Sequence, residues 1–126
     1  MLEELMKWLA RLHEVAPDSA GDRLGLEALE YDDKKKEFLL RCPTENWMRN
    51  AHGTLHGGLC ATIADQAMGS VACCYKRGEG ILPAIELSLN YHRPLMPGEN
   101  VLIRVWPMSV TRTLVHVRSE LYRESQ

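Results

Sequence analysis

The sequence has no surplus of positive charge, no Cys-x-x-Cys pair, no internal repeat and no long apolar run free of polar residues. Each lack removes a class of function. Fifteen Lys and Arg stand against 17 Asp and Glu, a formal net charge of −2, so the electrostatic footprint of a nucleic-acid binder is missing. The four cysteines, Cys42, Cys60, Cys73 and Cys74, have neither zinc-ribbon spacing nor the look of a secreted disulfide framework. They read as reduced thiols serving as small buried hydrophobes. The opening MLEELMKWLARLHEV mixes acids into a broken apolar pattern. It therefore does not read as a signal peptide, and the expected setting is cytoplasmic. What is present is ordinary for a globular chain: 126 residues, 45% hydrophobic and 25% charged. That suits one domain, 1–126, with a real core.

Residues 56–75 dominate the pattern. From Gly57 to Tyr75 the only charged side chain is Asp65. Leu59, Ile63, Ala67, Val71 and Cys74 recur at helical spacing, and Ala61, Ala64, Met68 and Ala72 fill much of the remaining circumference. A helix apolar nearly all round is a buried helix. A membrane span is excluded by Thr62, Asp65, Gln66 and Ser70 within the run, since a mid-span Asp alone costs about 2.5–3.5 kcal/mol. An acid in a buried helix is either structural, satisfied by backbone donors or an Arg, or a catalytic carboxylate facing a pocket. Spacing leaves both readings open.

Around this helix the chain reads in order. Leu2, Leu5, Met6, Leu9 and Leu12 make an amphipathic helix that Pro17 ends, followed by a loop, APDSAGD. Leu24–Tyr31 and Glu37–Cys42 read as strands joined by a solvated tip, Asp32 to Lys36. A loop over 43–55 leads to the long helix. Lys76-Arg77-Gly78-Glu79-Gly80 is its stop signal. Three strand-like runs follow, Ala84–His92, Val101–Val105 and Leu114–Tyr122, with turns at Pro97-Gly98 and Ser109–Arg112. Consecutive strands with short turns make an antiparallel sheet, and one buried helix needs that sheet around it. The expected class is α+β.

These elements, together with Asn50-Ala51-His52-Gly53-Thr54-Leu55-His56-Gly57-Gly58 and Asp65 eight residues after Gly57, resemble the hotdog-fold acyl-CoA thioesterases. The branch is that of the phenylacetate-pathway thioesterase and the vertebrate thioesterase-superfamily acyl-CoA hydrolases. Asn90-Tyr91-His92-Arg93-Pro94, Pro97-Gly98 and Thr111-Arg112-Thr113 extend the match, which runs from about Leu24 to Tyr122. The resemblance implies five to six antiparallel strands wrapped around one long central helix, with the N-terminal helix as a cover. It implies hydrolysis of an acyl-CoA thioester, with Asp65 as general base or nucleophile and the Gly57 backbone N–H as oxyanion donor. Asn50 and His56 would position water and the thioester carbonyl. Gly58 would let substrate approach closely, and the site would lie between subunits of a dimer or dimer of dimers.

Two departures stand out. Ala84 occupies a position where relatives often carry Ser or Thr, near the bound thioester. A fourth strand after the long helix, inside the sheet, would follow the point the sequence has reached at Gln126.

Other readings of the same residues compete. His52 and His56 are four apart, yet Gly53 lies between them and no third ligand is spaced to follow, so no metal and no cofactor are expected. Cys60 could mimic a nucleophile but lacks a base partner in sequence. Arg93 and Arg112 could hold coenzyme A phosphates or be turn charges. Met68, Trp106 and Met108 could line an acyl pocket or fill the core. A non-catalytic acyl-CoA binding module is the alternative function, and an acyl-thioester hydratase a third. Asp65 distinguishes the first alternative, since a pure binder needs no carboxylate beside the carbonyl. No nucleic acid and no membrane are expected as partners.

Overall fold

The computed structural model describes residues 1–76 and 82–125. Helix α1 spans Leu2–Val15, a short helix α2 spans Ala20–Leu24, and strands β1 and β2 are Glu27–Asp32 and Glu37–Cys42. A 3-10 turn, Asn46–Met48, precedes the long helix α3, Gly57–Tyr75, and strands β3 (Val101–Val110) and β4 (Val115–Arg123) follow. Among the described residues no helix is long and apolar enough to cross a membrane.

The sheet is antiparallel in the order β1-β2-β3-β4. Alternation decides which face is covered. Phe38, Leu40 and Cys42 of β2 stand opposite Val105, Ile103 and Val101 of β3, and all six are at most 1% exposed. They pack with Ile63, Ala67 and Val71 of α3 in one apolar cluster. Each Val, Leu, Ile or Phe among them contributes about 1.5–3 kcal/mol on burial. Helix α1 packs on α3 and β1 through its apolar stripe, with Leu5 fully buried.

The long helix begins and ends where the pattern places it. Its remaining stop signal, 77–80, lies outside the described residues. The β1–β2 tip is the expected solvated turn: Asp32 Oδ1 accepts the N–H groups of Lys34 and Lys35, and Lys36 pairs with Asp33.

Four details differ from expectation. Residues 20–24, assigned to loop and strand, are helical. Ser19 Oγ accepts the Asp22 N–H as N-cap, and Gly25, at φ 65, closes the turn in the left-handed region that glycine tolerates. Strand β3 extends past Val105 to Val110, because a register shift between Pro107 and Ser109 accommodates the proline's missing N–H. Ser109 and Val110 thus belong to the strand, and Thr111 Oγ1 caps the turn by accepting the Leu114 N–H.

The last difference is the largest. Ala84–His92, read as a strand, makes no ladder, so the sheet has four strands among the described residues rather than five to six. Its alternating Ile85, Leu87 and Tyr91 are 82%, 39% and 60% exposed. A strand forms only against a partner edge, and the edge of β4, unpaired among the described residues, stands across a cavity from this segment. The half-buried Val115, Val117, Ser119 and Leu121 of β4 line that cavity from the other side.

Candidate active site

The start of α3 is built by the loop before it. Asn50 organises a tight turn: its Oδ1 accepts the N–H groups of His52 and Thr54, and its Nδ2 donates to Thr54 Oγ1 at 2.8 Å. Gly53, at φ 86, supplies the left-handed residue of that turn. The buried Leu55 donates its N–H to the Leu95 carbonyl, and His56 donates its own to Met48. These bonds fix where the helix begins.

The first-turn donors are then taken in sequence. His56 Nδ1 accepts the Gly58 N–H at 2.9 Å, so this side chain is the N-cap, and a neutral ring carries its proton on Nε2. The N–H groups of Leu59 and Cys60 both point to the His56 carbonyl. That leaves the Gly57 N–H, which has no partner among the described residues. A free donor at the positive end of a helix suits a developing oxyanion.

Tyr91 comes over this turn from the far side of the cavity. Its hydroxyl donates to the Gly57 carbonyl at 2.8 Å, and its ring edge lies 3.6 Å from where a Cβ on residue 57 would stand. In the sequence Tyr91 reads as an apolar strand position and as part of the Asn90–Pro94 motif, with no site role of its own. The signal that could have drawn attention to it was its place beside Arg93-Pro94, where a strand cannot continue.

A cavity of about 1520 Å³ opens here, with α3 as its floor and the 82–95 segment and β4 as its walls. It brings together Asn50, Gly57, Asp65, Ala84 and Arg93. His56, Gly58 and Arg112 do not line it. Arg112 sits at the β3–β4 turn, where its carbonyl accepts from Lys76 Nζ at 3.0 Å. Met68 lines the cavity, while Trp106 and Met108 lie on β3 outside it.

Asp65 is not buried within this chain. Its helix is apolar all round in sequence, yet the face bearing Asp65 looks into the cavity, and the residue is exposed. Its carboxylate has no hydrogen bond or ion pair among the described residues, so the structural-acid reading finds no partner here. Cys60, on the same helix, has its thiol pushed up by burial, which opposes thiolate formation and a nucleophilic role. Among the described residues no group of three or more His, Cys, Asp or Glu gathers in metal-binding geometry.

Gly57 and Asp65 cannot serve one carbonyl from one chain. Eight residues of helix separate their Cα atoms by about 12 Å along the axis, and an Asp side chain spans only a fraction of that.

The model of the thioesterase superfamily matches residues 52–126. The chain belongs to the thioesterase superfamily. It is 33% identical to human acyl-coenzyme A thioesterase 13 over 73 residues, which are 57% of this chain and 51% of that protein. It is 28% identical to the mouse protein of the same name over 87 residues, 68% of this chain and 61% of that one. The chain thus spans only about half the length of the human relative it matches. Thioesterase superfamily member 2 of Mus musculus superposes with a TM-score of 0.74 at 20% identity, covering 99% of this chain and 86% of that one. The PaaI protein of E. coli, from its phenylacetic acid degradation operon, gives 0.77 at 17% identity, over 98% and 85%. These superpositions establish the hotdog fold, and the resemblance read from the 50–58 and 90–94 motifs is borne out at the level of the superfamily.

Proposed function

We propose that the chain hydrolyses acyl-CoA thioesters to a free acid and CoA at a site shared by two subunits. The observation that carries the reading is the pairing, on one cavity, of a helix-start N–H at Gly57 and a carboxylate at Asp65, neither of which has a partner among the described residues. Membership of the thioesterase superfamily supports the reaction class, and the names of the curated relatives support CoA as the thiol.

In this mechanism the thioester oxygen sits on the Gly57 N–H of one subunit, and Asp65 of the other takes the proton from the attacking water. Water oxygen bonds to the carbonyl carbon, the C=O electrons move to oxygen, and the helix-start N–H holds that charge. Collapse breaks the C–S bond, and the proton held by Asp65 goes to the departing CoA thiolate. In the alternative, Asp65 attacks the carbonyl carbon directly, the C–S bond breaks and CoA leaves as the thiolate, and water then opens the mixed anhydride to the free acid and the Asp65 carboxylate, its proton going to the thiolate. Asn50, on the cavity, keeps one Nδ2–H without a partner among the described residues for water or carbonyl, and His56, which does not line the cavity, serves that site as the cap of the helix start. Arg93, on the cavity wall, suits a CoA phosphate better than Arg112, which lies apart from it.

The separation of Gly57 and Asp65 along α3 supports a homodimer at least. So do the exposed Ile85 and Leu87 and the edge of β4, unpaired among the described residues. We place the chain in the cytoplasm, where its four cysteines stay reduced.

The test is a screen of short, medium, long and aryl acyl-CoAs with released thiol as the readout. Turnover of at least one class is expected. Tight acyl-CoA binding without any thiol release would favour the binding-module reading instead.

A further inference from the structure

The turn that carries the proposed oxyanion donor is held from two sides. Below it, His56 Nδ1 takes the Gly58 N–H at 2.9 Å. Above it, the Tyr91 hydroxyl donates to the Gly57 carbonyl at 2.8 Å. Tyr91 is 60% exposed, so burial of its ring does not explain why it lies there. Its segment is anchored four residues further on, where the Leu95 carbonyl accepts the Leu55 N–H at 2.8 Å and the Leu95 side chain is buried. The ring is thereby delivered to the helix start by a backbone bond to the same loop that creates that start. Its edge lies 3.6 Å from the vacant Cβ position of Gly57, ordinary van der Waals contact, and both residues line the same cavity.

We propose that Tyr91 is a positioning residue for the thioester site: its hydroxyl holds the Gly57 carbonyl, in the peptide that follows the one carrying the donor N–H, and its ring covers the vacant Cβ side of Gly57. The inference rests on the thioesterase reading given above. Substrate oxygen then reaches the donor from the side away from the ring, and the glycine backbone next to the donor peptide is restrained before substrate arrives. The benefit falls on the transition state, where the oxygen gains charge, more than on ground-state binding.

The experiment compares wild type, Tyr91→Phe and Tyr91→Ala on an acyl-CoA that wild type hydrolyses, with kcat, KM and Tm measured separately. Tyr91→Phe keeps the ring and loses one hydrogen bond. Its kcat is expected to fall about threefold to tenfold with KM and Tm unchanged. Tyr91→Ala loses the wall as well, so kcat is expected to fall further and KM to rise. Wild-type kcat in Tyr91→Phe overturns the inference alone. So does a loss in Tyr91→Phe that tracks a falling Tm, because that is a structural role. A wild-type chain that releases thiol from no acyl-CoA overturns the proposed function and this inference with it.

Discussion

The two sides of α3 meet opposite surroundings. Toward β2 and β3, Ile63, Ala67 and Val71 are fully shielded, locked against the Phe38–Val105 and Leu40–Ile103 pairs. Toward the cavity, Asp65 is exposed and Met68 and Gly69 are only half-buried. The sequence draws no such distinction, since small apolar residues run round most of the helix. The difference teaches that an all-round apolar pattern does not by itself mean burial on every side within the chain. The covered side is the scaffold. The uncovered side is where we place the chemistry and the second subunit.

Asp65→Asn breaks the comparison most sharply. On the open side it should lower kcat by about 10²–10⁴ while Tm moves by no more than about 2 °C, because no partner is lost. Thermal melts and thiol release together decide this, and a destabilised variant with parent kcat per folded molecule would end the mechanism.

Phe38→Ala is the converse. On the covered side it should cost about 3–5 kcal/mol and lower Tm by ten degrees or more, with kcat per folded molecule retained. Denaturant melts followed by circular dichroism measure it.

Ile85→Asp probes what covers the open side. Wild type should run as a dimer or larger by light scattering at micromolar concentration. The substitution should weaken association about 10–100-fold, the worth of one buried aliphatic side chain, and hydrolysis should fall in step. A wild-type monomer that is fully active would remove the shared site.

Alkali should act on the covered side through Cys42. Burial pushes the Cys42 thiol up from 9.0 to about 12. Because its folded pKa is raised, its contribution is complete below pH 9 and is lost as pH climbs from 9 toward 12, where the unfolded chain ionises first. Stability should decline by about 1 kcal/mol per pH unit across that window, and Cys42→Ala should flatten the slope in urea melts.

The smallest effect is expected at Ala84, which lines the cavity without a hydroxyl. Ala84→Ser should leave kcat unchanged or raise it by less than about threefold. A large drop with folding intact would show that this wall does not face the thioester as proposed.

Local signals were legible where a few neighbouring residues decide the outcome. The bounds of α3 follow from Gly57-Gly58 before the apolar run and Lys76 after it. The hairpin at Asp32–Lys36 follows from its polar tip, and β2 from the strict alternation of Phe38, Leu40 and Cys42. The motifs at 50–58 and 90–94 were enough to name the superfamily. Alternation misled at Ala84–His92, because it reports readiness to pair and not the presence of a partner. Ser19, Asp22 and Gly25 carried a helix cap and stop that the loop-like composition of APDSAGD concealed.

What the sequence determined by itself was therefore the type and length of the well-patterned elements, the lone acid on α3, and the glycine at its start. The tertiary structure alone decided that Asp65 looks into a cavity with no partner among the described residues, and that Asn50 closes its own turn. It also decided that His56 caps the helix and that Tyr91 reaches back across 34 positions to hold Gly57. The physical reason is range. Periodicity and capping are settled within one or two turns of chain, whereas burial, cavity walls and the fate of a strand edge depend on groups that only folding brings together.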